Sequence, residues 1–295
     1  MSSATLEDVV VIPEAPIRAP RKRWTRFILP VFTMAMIVYL AFPVLVMIIY
    51  SFNIIPNTGE SERQTTEFHC CTVVHWQQIF KVPELNHALL ISLAVALPAA
   101  LFATALGTFV GLVLGRYRFR GRAMTNFVIF LAIAVPEIVL GSSLLALFVQ
   151  LGSTKPLGFY VPLGYWSILV SHIAFSIAFV AITVRARVQG LDNSLESAAQ
   201  DLFANPRVAF LKVTFPLILP GIMAGFLLAL VLSLDDFVIT NFVNGSTNTF
   251  PTWVFGATRL GEPPQVNVWG TVLFTVGIAV AVLQVVRSRR TESEA

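Results

Sequence analysis

Charge is scarce in this chain. Aspartate, glutamate, lysine and arginine make up 12% of its 295 residues, about half of what a soluble globular domain carries. With 56% hydrophobic residues and a mean hydropathy of +0.77, that scarcity excludes a single large soluble domain. Cysteine is scarcer still. The two present, Cys70 and Cys71, are adjacent, which excludes a disulfide framework, since neighbouring cysteines pair only with strain. His69 and His75 lie nearby, but the spacing matches no zinc pattern. These cysteines read as loop thiols, unpaired or a stray pair. No G-x-x-x-x-G-K-[ST] phosphate loop occurs, so any ATP must be hydrolysed by another chain. The absence of H-E-x-x-H and G-x-S-x-G argues against a membrane enzyme. No cofactor is expected in this chain.

What is abundant is long apolar sequence. A membrane helix needs about 20 mostly apolar residues, and six runs qualify: 28–52, 88–115, 124–151, 166–186, 217–243 and 267–286. Pro43, Gly107, Gly111, Pro136, Gly141 and Gly225 fall inside them, which membrane helices tolerate because neighbours re-satisfy freed backbone groups. The expected fold is therefore an all-α integral membrane protein with six spans. Basic residues orient it. With both termini in the cytoplasm, the inside segments hold all but four (Arg63, Lys81, Lys155 and Arg259) of the 20 lysines and arginines, as the positive-inside rule requires. The net charge of +4 then needs no nucleic acid to explain it. The first run is too long for a signal-peptide core and no small-residue cleavage site follows it, so it is expected to stay as a helix. The organisation reads as a disordered basic tail (1–27), a membrane domain (28–290) and a short cytoplasmic tail (291–295). Part of the outside loop 53–86, with Trp76, Ile79 and Phe80, should pack as a short helix, and another is expected near Trp253 to Thr258. The short basic loop 116–122, RYRFRGR, reads as a cytoplasmic anchor.

One polar stretch interrupts the apolar pattern: LESAAQDLFANPRVAFLKVTFPLILPG, residues 195–221. Ser194 suits a helix N-cap, and Pro206 limits the first helix. A second helix should run from about Arg207 toward Pro216. A helical hairpin this polar lies outside the lipid, where a soluble partner can take it.

This segment resembles the coupling loop, the EAA loop, of permease subunits of ABC importers. Ser197, Ala198 and Ala199 fall on the family's Glu-Ala-Ala, Phe203 on its glycine, and Phe215-Pro216 on its hydrophobic-Pro. Asp201 and Ala204 match as well. Ser197 replaces the acid, although Glu196 stands one residue earlier, about 100° away on a helix; Phe203 replaces the glycine. The likeness extends over about 87–286. Within it PEIVLGSSLL (136–145), HIAFSIAFVAITVRARVQGLD (172–192) and LSLDDFVITNFVNG (232–245) look like permeases of spermidine/putrescine importers, most like the second of their two permease subunits. The resemblance implies the type I importer permease fold in a bacterial plasma membrane. It also implies a second permease subunit, two ATPase subunits that bind ATP and Mg, and an extracytoplasmic substrate-binding protein. The loop, about 187–216, would dock into the ATPase through Glu196, Ser197, Ala198, Ala199, Asp201, Phe203, Ala204 and Pro216.

The ionisable residues inside the spans point the same way, because such groups are costly in lipid and by default functional. They are Glu137 in the third run, His172 in the fourth, and Asp235 and Asp236 in the fifth. No lysine or arginine sits at comparable depth, so the balancing charge must come from a partner subunit, a proton or the substrate. A polyamine needs spaced carboxylates and aromatic faces. Ser233 and Thr240 form a polar stripe with Asp236, whereas Val231, Leu232, Val238 and Ile239 flank Asp235. That favours Asp236 toward the pathway and Asp235 toward a subunit contact, with Glu137 and His172 as further pathway candidates. The rival readings are an importer for another solute, such as iron, thiamine or an opine, and a stand-alone proton-coupled transporter.

Overall fold

The computed structural model describes residues 25–54, 68–154, 160–192, 194–259 and 261–293. The expected disordered tail lies outside the described residues up to position 24, as do Arg63, Lys155 and residues 294–295. The described residues are helical throughout, with one isolated backbone bridge between Asn53 and Cys70 and no strand. Two units are distinguished, Met1–Ile49 and Tyr50–Ala295. The first is described over helix α1 (Thr25–Tyr50), which carries Pro30 and Pro43 within it.

The second unit begins with a loop organised on Asn53. Its side-chain carbonyl accepts the His69 N–H at 2.6 Å, and its backbone carbonyl meets His75 Nε2 at 3.0 Å. The His75 ring and the His69 backbone are thus both engaged with Asn53. The sulfurs of Cys70 and Cys71 are joined, so these are not unpaired thiols. The short helix expected here is α2 (Val74–Gln77), which includes Trp76 stacked on Phe52.

The core is three helices: α3 (Pro83–Arg116), α6 (Tyr165–Gln189) and α9 (Phe215–Asp235). Small residues let them approach closely, as they must where lipid supplies no hydrophobic drive between helices. On α3, Gly107, Gly111 and Gly115 recur every fourth residue. A Cβ at these positions would stand 2.7 Å from Val180 Cβ, 2.7 Å from the Ala181 carbonyl and 2.6 Å from Val188 Cγ1. Gly221 and Gly225 of α9 meet Arg187 and Val180 in the same manner. Ala100, Ala103, Val180, Val184, Ile218 and Ala229 fill the space between.

Two of the expected continuous spans are broken. The run 124–151 is α4 (Arg122–Ala134) followed by α5 (Glu137–Thr154), bent by 105°. Pro136 has no N–H to bond back to Ala132, and its ring forces the preceding residue out of the helical region; Val135 is accordingly extended, at ψ 128°. With 13 residues, α4 is about 20 Å long, too short to cross a hydrocarbon core of about 30 Å. The run 217–243 stops at Asp235, and α10 (Val238–Val243) follows the extended residue Asp236. The chain then forms α11 (Phe250–Thr258), where a short helix was expected, and α12 (Gln265–Ser293). Among the described residues five helices are long and apolar enough to cross a membrane, and the bent pair α4–α5 makes a sixth if counted as one span.

Candidate functional site

The polar stretch forms a hairpin of α7 (Ser194–Asp201) and α8 (Pro206–Ala209), with the first helix ending before Pro206 as expected. Its start differs from expectation by one position. Ser194 is the first helical residue, and the Asp192 carboxylate accepts its N–H at 2.9 Å. That bond and the Ser194 hydroxyl hold the Asp192 carboxyl below the usual carboxylate range. Asn205 caps α8 by accepting the Val208 N–H at 2.9 Å.

The second hairpin helix does not end at Pro216. A π-helical turn (Phe210–Thr214) joins α8 to α9, with the Phe215 N–H bonding back to Phe210. Pro216 then sits in the first turn of α9, where its missing N–H costs nothing. The wider turn takes up the register, a common use of π turns.

Between the hairpin helices, α7 ends in a Schellman motif. The Phe203 N–H bonds to the Gln200 carbonyl at 2.9 Å and the Ala204 N–H to the Ala199 carbonyl at 3.1 Å. This closure needs a left-handed residue at its second-last position, usually glycine. Here it is Phe203, at φ 64°. A non-glycine residue there costs about 1–2 kcal/mol. Phe203 is 100% exposed and Leu202 beside it 82%, so the hairpin presents an apolar tip. Ser197, Ala198 and Asp201 are also exposed, while Ala199 and Ala204 are half-buried.

Glu196 faces the other way. Its Oε2 is ion-paired with Arg116 at the end of α3 and accepts the Thr214 hydroxyl at 2.8 Å. Arg116 and Thr214 were not singled out from sequence. Arg116 was legible only as part of the basic anchor 116–122, and Thr214 carried no signal of its own within the hairpin segment.

The second constellation lies at the two helix breaks. Glu137 is the first residue of α5, Asp235 is the last of α9, and Asp236 is the extended residue that follows it. Gly141 lets α5 pack on α10: a Cβ there would stand 2.7 Å from Phe242 and 3.2 Å from the Ile239 Cα. The three carboxylates consequently lie close enough for their charges to act on one another.

Their surroundings differ. Asp236 is 8% exposed. Its Oδ2 accepts from the Thr240 N–H at 2.8 Å, the Thr240 hydroxyl at 2.7 Å and His172 Nε2 at 3.2 Å, and its Oδ1 meets the Ile239 N–H at 3.4 Å. A carboxylate that captures these N–H groups competes with the helix's own carbonyls, which is why α9 stops and α10 starts here. His172, 2% exposed, also lies 2.9 Å from the Thr240 hydroxyl and 2.6 Å from that of Ser233. With the ring proton on Nε2 and the Ser233 hydroxyl donating to Nδ1, every donor finds an acceptor. The polar stripe Ser233–Asp236–Thr240 therefore exists, but it turns inward onto α6, because a desolvated carboxylate needs several donors. Asp235 and Glu137 are the exposed acids. Among the described residues no group of histidine, cysteine and carboxylate side chains is arranged to hold a metal ion.

The chain is similar to known transport permeases over most of its length. The spermidine/putrescine transport system permease protein PotC of Haemophilus influenzae is 31% identical over 90% of this chain and 97% of its own. The putrescine transport system permease protein PotI of Escherichia coli K12 is 37% identical over 81% of this chain and 83% of its own. In fold, the chain is similar to a subunit of a bacterial ABC transporter that imports the acidic polysaccharide alginate. That match has a TM-score of 0.67 at 14% identity and covers 90% of this chain and 96% of that one. Residues 107–289 match the family described as binding-protein-dependent transport system inner membrane component, and this chain belongs to that family.

Proposed function

We propose that this chain is a permease subunit of an ABC importer that brings polyamines, spermidine or putrescine, into the cytoplasm. The observation that carries the substrate reading is the gathering of Glu137, Asp235 and Asp236 at the two helix breaks. No lysine or arginine occurs in α5, α9 or α10 to neutralise them. Asp236 is held from behind by His172 and Thr240, so it sets the break and adds negative potential. Asp235 and Glu137 offer free faces to ammonium groups. Phe237, the next residue, packs on Phe255 at 4.5 Å, and that ring already carries Arg259 on its face at 5.1 Å. Aromatic surface suited to a cation therefore lies beside the acids. The PotC and PotI relatives, named for the same solutes, support this reading.

In this reading α4–α5 form one broken crossing, six in all, with both termini cytoplasmic. Arg116, Arg122, Arg185 and Arg187 cluster at the hairpin end of the bundle, bonded to Glu196, the Leu114 carbonyl, Asn126 and the Leu217 carbonyl. Positive charge at that end fits a cytoplasmic location. A second permease completes the pathway, and a binding protein delivers substrate from outside. Two ATPase subunits, which hold ATP and Mg, receive the hairpin with Phe203 and Leu202 foremost. ATP-driven closure of the ATPases then shifts the permease pair between inward- and outward-open states, by as much as the contacts differ between them.

The test is uptake by the purified complex in proteoliposomes. The chain is expected to bring an ATPase with it, and spermidine or putrescine with the binding protein is expected to stimulate ATP hydrolysis. Uptake of a neutral or anionic solute with no response to polyamines would overturn the substrate assignment. Purification with no ATPase would overturn the assignment of the hairpin.

A further inference from the structure

We infer that Arg116, Glu196 and Thr214 form the link that carries movement of the hairpin into the transmembrane core. This rests on the hairpin being the ATPase contact. Glu196 ties α7 to two other elements, through the ion pair to Arg116 and the bond from Thr214. Arg116 is the last residue of α3, and Thr214 is the last of the π turn that leads into α9. Both elements belong to the three-helix core, and α9 ends 21 residues later at Asp235. A displacement of α7 therefore pulls on two core helices through one carboxylate, and one of them reaches the acidic cluster.

The surroundings fit a link rather than a static tie. Glu196 and Arg116 are half-buried, with side-chain exposures of 19% and 22%, and so are only partly screened by water. Thr214 is buried. A small cavity lined by Arg116, Val188, Leu191, Glu196, Val213 and Leu217 adjoins the pair. The π turn at 210–214 is a section of helix with a register that differs from its neighbours, and it can be absorbed or re-formed without breaking the rod. Ser197 stands on the exposed side of α7, toward which a partner would approach. Glu196 is turned inward, and its carboxylate is committed within the subunit. These three are positioning residues: they touch neither ATP nor polyamine.

The test uses the whole complex, with its binding protein, in proteoliposomes, and reads spermidine moved per ATP hydrolysed together with retention of the ATPase. Glu196→Gln and Arg116→Gln are each expected to lower that ratio about tenfold, with the ATPase still bound. The double variant is expected to be no worse than either single one, as for two groups acting as a unit. Thr214→Val, which keeps the ion pair, is expected to lower the ratio by a smaller factor. Additive losses in the double variant, or a parental ratio in Glu196→Gln and Thr214→Val, would overturn the link. Ala198→Glu, at an exposed position of α7, separates the two readings. If it leaves the ATPase bound and the ratio parental, the docking assignment has failed rather than the link.

Discussion

Replacing Asp235 by Asn distinguishes the two neighbouring carboxylates. The substitution keeps size and one acceptor but removes the charge. Asp235 is exposed at the end of α9, whereas Asp236 beside it is buried. A hydrogen bond to a charged group contributes about 1.5–3 kcal/mol. A polyamine ammonium that loses this partner should therefore bind about one to two decades more weakly. The apparent KM for spermidine uptake should rise by that factor, with assembly and thermal stability unchanged. Asp236→Asn should behave in the opposite manner. Its Oδ2 receives three hydrogen bonds, two from Thr240 and one from His172. Changing each from charge-assisted to neutral forfeits about 1 kcal/mol, so the loss appears as about 2–3 kcal/mol of stability at the α9–α10 break. The assay is substrate-dependent uptake over a range of spermidine concentrations, paired with thermal unfolding of the purified complex. The reasoning is refuted if Asp235→Asn transports like the parent at subsaturating spermidine while Asp236→Asn raises KM without loss of stability.

Phe203→Gly should stabilise the hairpin by about 1 kcal/mol by relieving the left-handed residue, yet weaken ATPase retention by removing the apolar tip; Phe203→Asp should weaken retention further. Both are read by co-purification, and unchanged retention in Phe203→Asp would show that the tip does not enter the interface. Gly111→Leu should lower the amount of folded protein in the membrane, since a Cβ already meets the Ala181 carbonyl at 2.7 Å and overpacking costs about 1–3 kcal/mol. Fluorescence-detected size exclusion reports this, and a parental profile would mean that α3 and α6 separate easily.

Most of the helices, though not their breaks, were legible in the chain. Apolar runs of the right length locate membrane helices because lipid allows no unsatisfied backbone. The G-x-x-x-G-x-x-x-G spacing of Gly107, Gly111 and Gly115 was also there to be read as a packing face. Pro136 lay in plain view as a kink, but its 105° bend exceeds what a proline alone implies, and the packing of α5 on α10 through Gly141 accompanies it. The break at Asp236 carried no proline signal. It arises from a side chain that competes for backbone N–H groups, and that competition succeeds only where His172 arrives from α6 to share the carboxylate.

By itself, then, the sequence determined that this protein is a helical membrane chain with a polar hairpin and a few intramembrane acids. Hydropathy, positive charge and turn residues act locally, and local terms can be summed along a chain. Tertiary structure alone decided which way each acid faces. Asp235 and Asp236 are neighbours in sequence, and a helical stripe places them on different sides without saying which side is the interior. Contacts 64 residues away, between Asp236 and His172, and 80 residues away, between Arg116 and Glu196, made those choices. A buried charge is tolerable only where donors from other helices converge on it, and that convergence exists only once the helices have packed.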